Sequence, residues 1–155
     1  MLTEKELIQH NKFLNIAEEI AKDSHCVQLH VGALLVRDKR IISTGYNGTP
    51  AGFINCNDHF ANKEFTRDDH HKFSESYEIH AELNSIIYAA FNGISIIDCD
   101  IYVTHQPCQN CLKMLCGAGI KNIYYRHAYD KVEYNEMTKK MLKNLRIQVI
   151  QIPAI

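Results

Sequence analysis

The sequence predicts an α/β protein of three layers (α/β/α), with a five-stranded mixed sheet between helices on both of its faces. Segments with helical spacing alternate with short strand-like segments in the order α-β-β-α-β-α-β-α-β, which is typical of a sheet covered by helices. The 155 residues, of which 46% are hydrophobic, are enough for one domain, residues 1–155, with a core of its own.

Hydrophobic spacing places the helices and strands along the chain. Helices are predicted where apolar residues recur every three or four positions, and strands where short runs of β-branched and aromatic residues occur. The predicted helices are 3–20, 78–91, 108–116 and 133–145. The predicted strands are 31–36, 40–46, 100–104, 121–126 and 146–152.

Local signals mark where the first elements begin and end. Thr3 and Glu6 form a capping box at the start of the first helix. Asp38-Lys39 separate two strands as a hairpin turn, and 47–52 (Asn-Gly-Thr-Pro-Ala-Gly) are turn residues. Residues 53–76 lack apolar periodicity and are rich in polar side chains. They are predicted to be a loop, and a loop of this length in a compact domain is usually functional.

Glycine and proline mark the ends of the later helices. Asn92-Gly93 end the second helix, because glycine readily adopts the left-handed conformation found just after a helix. Pro107 precedes the third helix, and Gly117 and Gly119 follow it. The resulting alternation of strands and helices agrees with the three-layer prediction.

Composition excludes several classes of protein. The formal net charge is −1, whereas a protein that binds long nucleic acid is usually basic, so a small-molecule substrate is favoured. No run of 18 apolar residues predicts a membrane span, and the charged start, Met-Leu-Thr-Glu-Lys-Glu, does not resemble a signal peptide. We therefore expect a cytoplasmic protein without a disulfide framework, in which cysteines bind metal.

One split motif points to a catalytic metal centre: His80-Ala81-Glu82 followed by Cys108-x-x-Cys111. One histidine and two cysteines supply three zinc ligands and leave the fourth position for water, as in catalytic rather than structural sites. Cys108 and Cys111 are three positions apart, so in the first turn of a helix their sulfurs face one side. Glu82 is placed to move protons. The pattern is typical of zinc-dependent nucleobase deaminases.

The expected reaction is a hydrolytic deamination. Bound zinc lowers the pKa of water to about 7, and the resulting hydroxide attacks C4 of a cytosine ring. Glu82 takes the water proton, delivers it to ring N3 and then carries a proton to the departing amine. A Cys-x-x-Cys pair alone also occurs in structural zinc sites and redox motifs, but neither requires the His80-x-Glu82 half.

Three motifs together resemble the deoxycytidylate (dCMP) deaminases, particularly the bacteriophage type. They are His80-Ala-Glu-Leu-Asn84, Pro107-Cys-x-x-Cys111 and Gly45-Tyr-Asn-Gly-Thr-Pro-Ala-Gly52. The resemblance implies the cytidine deaminase-like fold and conversion of dCMP to dUMP, which supplies thymidylate synthesis. It also implies a homohexamer activated by dCTP and inhibited by dTTP, with Mg²⁺ accompanying the nucleotide effector, in the host cytoplasm if the protein is viral.

The resemblance further implies which residues bind substrate and effectors. The implied substrate contacts are Ser24, His30, Asn47, Ala81 and Tyr129. Asn47 would bind a sugar hydroxyl, although Asn-Gly also suits a plain turn, and Tyr129 would lie near the substrate or in the core. His30 stands where a phosphate contact is usually Lys or Arg. The implied effector contacts, between subunits, are Gly45, Tyr46, Asn47, Gly48 and Gly52.

Phage-type members also carry a second, non-catalytic zinc, and this chain has suitable residues at the corresponding positions. By resemblance its ligands are Cys26, Cys56, His70 and Glu78. Two thiolates, an imidazole and a carboxylate form a suitable tetrahedral set, which would order residues 53–76. His59 and His71 are rival ligands, and the alternative is a pair of buried free cysteines beside a solvated loop.

Other functions stay open at this point. The same zinc chemistry deaminates free cytidine, guanine or a tRNA adenosine, but a nucleic-acid editor would need a basic groove and stacking aromatic residues. A protein of another class, a zinc-stabilised binding module, would not need Glu82. Deamination would, because this carboxylate is the group placed to move protons.

Overall fold

Five strands form one mixed sheet in a computed structural model of the chain, which describes residues 2–130 and 132–155. The strands are β1 (Gly32–Arg37), β2 (Arg40–Tyr46), β3 (Asp100–His105), β4 (Asn122–His127) and β5 (Gln148–Gln151). Their order across the sheet is β2-β1-β3-β4-β5. β1 is antiparallel to both neighbours, whereas β3, β4 and β5 run parallel. The predicted five-stranded mixed sheet is confirmed.

Helices cover both faces of this sheet. They are α1 (Glu4–Ala21), α2 (Cys56–His59), α3 (Arg67–Tyr77), α4 (Ala81–Phe91), α5 (Gln109–Gly117) and α6 (Glu136–Leu145). Side chains alternate along β1, so Leu34 packs in the core beneath α1 while Leu35 packs in the core beneath α4, α5 and α6. The predicted three-layer arrangement is confirmed. In the described ranges, no helix combines the length and the apolar character that crossing a bilayer requires.

The signals for the first helix and the hairpin are both confirmed. The Thr3 side chain accepts from the Glu6 backbone amide at 3.2 Å, and the Glu6 carboxylate accepts from the Thr3 amide at 2.8 Å. Asp38 and Lys39 adopt φ values of 52° and 61°. Positive φ at both central residues is the two-residue turn whose twist matches an antiparallel hairpin, which explains the tight connection of β1 to β2.

The prediction that residues 53–76 form a loop is wrong, because they contain α2 and most of α3. In α3 only His70 and Phe73 are buried, so the helix has too few apolar residues to show a hydrophobic period. Its start was nevertheless readable: Thr66 and Asp69 form a second capping box, with bonds of 2.8 and 3.1 Å.

Two predicted helix starts are also corrected. Residue 78 lies outside any helix, since Glu78 follows α3 with an extended backbone (φ −89°, ψ 129°) and α4 begins only at Ala81. The last helix begins at Glu136 rather than at residue 133, because Asn135 caps it by accepting from the Thr138 amide at 2.9 Å. Other element ends differ from prediction by a few residues, the usual uncertainty of helix and strand ends.

The backbone of α4 passes close to β2 at Gly45. A Cβ atom at this position would overlap the Ala81 carbonyl oxygen and the Ser85 amide nitrogen, both backbone atoms of α4. We expect Gly45→Ala to lower the free energy of unfolding by about 1–3 kcal/mol, as overpacking does, when urea unfolding is measured. Gly117→Ala is the control, since nothing lies within 4 Å of its Cβ position. Equal effects of the two changes would contradict this packing role.

Candidate functional site

Three metal-ligating side chains meet where two helices begin beside the end of β3. His80 is the N-cap of α4, Cys108 is the N-cap of α5, and Cys111 lies in the first turn of α5. His80 Nδ1 lies 3.3 Å from Cys111 Sγ and 3.7 Å from Cys108 Sγ. All three ligand atoms lie within 4.8 Å of one another. We call this group the three-ligand cluster.

The spacing of these atoms fits a tetrahedral zinc ion. Zinc bonds of about 2.3 Å to sulfur and about 2.0 Å to nitrogen, at a tetrahedral angle, put the nitrogen and sulfur atoms about 3.5 Å apart. The two observed separations, 3.3 and 3.7 Å, lie on either side of this value. The donor set and the geometry therefore agree, and His80, Cys108 and Cys111 come together as the sequence predicted.

The three-ligand cluster faces a cavity of about 820 Å³. His80 is exposed, Cys108 is half-buried and Cys111 is buried, so a metal held here would have one side open to that cavity. An open fourth position is what distinguishes a catalytic zinc site from a structural one. The carboxyl-bearing residue Glu82 also lines the cavity and is only 5% exposed.

Electrostatics within the cluster favour metal binding. A hydrogen bond from Cys111, together with the His80 ring, lowers the pKa of Cys108 to about 3. Cys111 keeps its proton in this pair, which raises its own pKa, and zinc would displace that proton. The bond to Cys108 likewise raises the pKa of His80, and burial raises the pKa of Glu82.

Backbone pairing fixes the segment that carries His80. Ile79 and Gly48 exchange two hydrogen bonds, of 2.8 and 3.1 Å, in an isolated antiparallel bridge. Asn84 Nδ2 donates to the Tyr46 carbonyl at 2.7 Å. The end of β2 and the loop after it therefore hold both sides of His80, which limits how far this ligand can move.

A second group of ligands lies next to the first and is fully buried. It consists of Cys26, Cys56, His70 and Glu78, whose ligand atoms all lie within 4.8 Å of one another. Cys26 Sγ lies 3.3 Å from His70 Nε2, which lies 3.9 Å from Glu78 Oε2. We call this group the four-ligand cluster. It unites the four residues that the sequence resemblance implied.

Buried polar groups without a partner in the protein support a cation in the four-ligand cluster. Both carboxylate oxygens of Glu78 are buried without a hydrogen-bond partner in the described residues. Leaving such a group unsatisfied is costly, and coordination to a cation would satisfy it. Burial raises the pKa of Cys26, and that of Cys56 to about 12, so a metal would displace protons from both thiols on binding.

The rival ligands His59 and His71 lie outside this cluster. The His59 ring stacks on Phe73 with ring centroids 4.4 Å apart. His71 is exposed, and its Nε2 lies 3.8 Å from the Glu75 carboxylate. Within residues 2–130 and 132–155, neither ring joins a group of metal-ligating atoms.

Three of the five expected substrate contacts line the cavity: Asn47, Ala81 and Tyr129. The Asn47 side chain accepts from the Val31 amide and donates to the Leu29 carbonyl, both at 2.8 Å. Asn47 therefore has a structural role in addition to facing the cavity. Tyr129 is 39% exposed and lies on the cavity wall rather than in the core.

The other two expected contacts are engaged elsewhere. The buried Ser24 hydroxyl donates to the Asn47 carbonyl at 2.8 Å. His30 Nε2 lies 2.9 Å from the Cys26 carbonyl oxygen. Neither residue is among the described residues that line the cavity.

Three of the residues expected to bind effectors have structural roles in β2 and in the loop that follows it. Gly45 packs against α4, Gly48 pairs with Ile79, and Gly52 has a φ of 89° in the following turn. A smaller cavity of about 650 Å³ begins at the end of this loop and runs along the segment between α3 and α4. Its lining includes Phe53 and Tyr77.

The cavity wall also contains residues that the sequence did not single out, among them Arg67, Asp68, His105 and Gln106. Gln106 accepts from the Tyr129 amide at 3.3 Å. His105 and Gln106 directly precede the Pro107-Cys108 motif, and that position was a usable signal. Arg67 lay in the segment wrongly predicted as a loop, so no pattern in the sequence pointed to it.

Comparison with known proteins identifies similar proteins over nearly the whole chain. Residues 7–127 match the family model described as the cytidine and deoxycytidylate deaminase zinc-binding region. The deoxycytidylate deaminase of Enterobacteria phage T2 is 35% identical over 173 aligned positions, covering 92% of this chain and 91% of that protein. The probable deoxycytidylate deaminase of Caenorhabditis elegans is 35% identical, and the alignment covers 97% of this chain and 73% of that protein.

A solved structure agrees with these sequence matches. It is the dCMP deaminase of the cyanophage S-TIM5 in complex with dCMP and dUMP, which superposes with a TM-score of 0.75 at 29% identity. The match covers 97% of this chain and 99% of the cyanophage chain. The likeness therefore includes α2 and α3 as well as the sheet.

Proposed function

The chain belongs to the cytidine and deoxycytidylate deaminase family, and on that premise we propose that it hydrolyses dCMP to dUMP and ammonia. The observation that carries this proposal is the three-ligand cluster beside buried Glu82 in an open cavity. The name of the phage T2 relative, and the dCMP and dUMP bound in the cyanophage structure, support dCMP as the substrate.

The proposed mechanism assigns proton transfer to Glu82. His80, Cys108 and Cys111 would hold the zinc ion, which when bound activates a water molecule for attack on C4 of the cytosine ring. Glu82 accepts a proton from that water and gives it to ring N3. It then takes the remaining proton from the oxygen now bonded to C4 and gives it to the amino group, so the bond from C4 to the amine breaks, ammonia leaves and C4 keeps the oxygen as a carbonyl. The raised pKa of Glu82 suits a carboxyl group that must hold a proton for part of the cycle.

We propose that Asn47, Ala81 and Tyr129 bind the nucleoside part of the substrate, since all three line the cavity. Asn47 keeps one N–H and one oxygen lone pair beyond the two bonds it makes within the protein, so it has capacity for a sugar hydroxyl. Tyr129 offers an aromatic face or a hydroxyl at the cavity wall.

We propose a second, structural zinc ion in the four-ligand cluster. Four buried protein ligands leave no position for substrate, which is the mark of a structural zinc site. The cluster contributes to a small core together with Phe60 and Phe73, so the metal would attach α2 and α3 to the segment between α1 and β1 that carries Cys26.

Regulation by dCTP and dTTP, with Mg²⁺ bound to the nucleotide, is proposed from the resemblance to phage-type enzymes, as is a homohexamer. The smaller cavity supports the proposed regulation by nucleotides, since it is lined by Pro50, Phe53 and Tyr77 and also reaches His80 and Cys111. A nucleotide there would contact residues next to catalytic ligands. The phage relatives favour the host-cell cytoplasm as the place of action.

The proposed function predicts that the purified protein deaminates dCMP faster than cytidine, guanine or a tRNA adenosine. The measurement is ammonia release and loss of cytosine absorbance, with each substrate alone and with dCTP or dTTP plus Mg²⁺. We expect dCTP to raise the rate and dTTP to lower it. Absence of dCMP turnover under every effector condition would exclude the function, and turnover without any effector response would exclude only the regulation.

A further inference from the structure

Arg67 is the permanent positive charge on the wall of the 820 Å³ cavity. No other Lys or Arg among the described residues lines that cavity. Of its four histidines, His70 and His80 belong to the metal clusters, and His71 is exposed with its Nε2 3.8 Å from the Glu75 carboxylate. Burial, with a further contribution from His127, lowers the pKa of His105, which disfavours the charged form of this ring. A guanidinium keeps its charge at every physiological pH.

The carboxylates nearest to Arg67 in the chain are already engaged. Asp68 lies 2.7 Å from Lys72 Nζ, and Asp69 accepts from the Thr66 amide and hydroxyl at 2.8 and 2.9 Å. Arg67 itself is exposed and makes no ion pair within the described part of the chain. Its planar array of donors is therefore available for an external anion, and it suits two oxygens of one phosphate.

The position of Arg67 is determined by the buried face of α3. His70 lies one turn further along the same helix and inserts into the four-ligand cluster. Because residues three apart lie on neighbouring parts of a helix surface, anchoring His70 also sets where Arg67 stands on the cavity wall. The cavity size falls in the range of small-molecule sites, about 300–1,000 Å³, so a whole nucleotide has room beside the metal ligands.

Resting on the proposed function, we propose that Arg67 binds the 5′-phosphate of the substrate and so makes this enzyme prefer a nucleotide to its nucleoside. Ser24 and His30, which the resemblance offered as substrate contacts, are not among the described residues that line the cavity, and both are engaged with backbone carbonyls. Arg67 thus supplies the charge that a phosphate requires.

Kinetics of Arg67→Gln with dCMP and with deoxycytidine test this role. We expect kcat/KM for dCMP to fall by about 10- to 100-fold, mainly through KM, because one or two charge-assisted hydrogen bonds are lost. The value for deoxycytidine, which has no phosphate, should stay within about twofold. Arg67→Lys should recover part of the loss. The matched control is Arg40→Gln, which removes an exposed arginine from β2, away from the cavity.

Binding of products separates failure of this inference from failure of the proposed function. Calorimetric titration with dUMP and deoxyuridine needs no turnover, and wild-type protein should bind dUMP more tightly, a preference that Arg67→Gln removes. If Arg67→Gln left the ratio of kcat/KM for dCMP to kcat/KM for deoxycytidine unchanged, the role of Arg67 would be overturned, while dCMP deamination would stand. Lack of turnover by wild-type protein together with selective dUMP binding would instead exclude only the reaction.

Discussion

Replacing Glu82 with glutamine is expected to lower kcat for dCMP by about 10²- to 10⁴-fold while the zinc content stays unchanged. Glutamine keeps the size and the polar character of the side chain but cannot accept and return a proton, and general acid–base groups contribute rate factors of this order. Glu82 is not one of the residues of the three-ligand cluster, so the metal should remain bound. The measurements are steady-state ammonia release and metal analysis on the same preparation.

The control for this change is Glu136→Gln, which removes a carboxylate that is exposed at the start of α6. It should leave turnover and zinc content as in the wild type. If Glu82→Gln kept near-normal turnover, Glu82 would not be the proton carrier. If the wild-type protein bound nucleotide without turnover and the variant bound it equally well, the zinc-stabilised binding module would be the better description.

Replacing Cys56 with alanine is expected to reduce zinc from about two ions per chain to about one. The remaining three ligands of the four-ligand cluster cannot complete a closed tetrahedral site, and structural zinc supplies folding free energy directly. We expect amide exchange in α2 and α3 to become about 10²-fold faster or more, because these helices have little apolar core besides the cluster itself.

Cys116→Ala serves as the matched control for the loss of one cysteine. Cys116 is half-buried and belongs to neither metal cluster in the described residues. This variant should keep about two zinc ions and the wild-type exchange pattern. Wild-type protein with about one zinc, or unchanged exchange in α2 and α3 of Cys56→Ala, would show that Cys26 and Cys56 are buried free thiols.

Glu82→Gln and Cys56→Ala test two proposed metal sites that share one short stretch of chain. Glu78 belongs to the four-ligand cluster and His80 to the three-ligand cluster, while Ile79 between them pairs with Gly48. The exchange of two backbone bonds at Ile79 fixes both ligands relative to the loop after β2. Order in the residues before α4 is therefore directly connected to the position of His80.

The reaction chemistry was readable from the sequence because it depends on residue types at short spacing. A histidine with a carboxylate two positions later, and two cysteines three apart, predict a zinc site with an open position, and the fold then brings the two halves of the motif together. The strands were readable for a similar reason, since short apolar runs such as those of β1 and β3 are a local pattern. The comparisons and the structure confirm the cytidine deaminase-like fold and the deaminase family.

The conformation of residues 53–76 was not readable, because tertiary contacts rather than apolar periodicity stabilise α2 and α3. His70 is buried in α3 because Cys26, Cys56 and Glu78 surround it. Glu78 directly follows α3, whereas Cys26 and Cys56 come from two earlier segments of the chain. For the same reason only the tertiary structure showed that Ser24 and His30 are engaged elsewhere and that Arg67 faces the cavity. Ligand type is a property of each residue, whereas access to substrate depends on how distant segments pack.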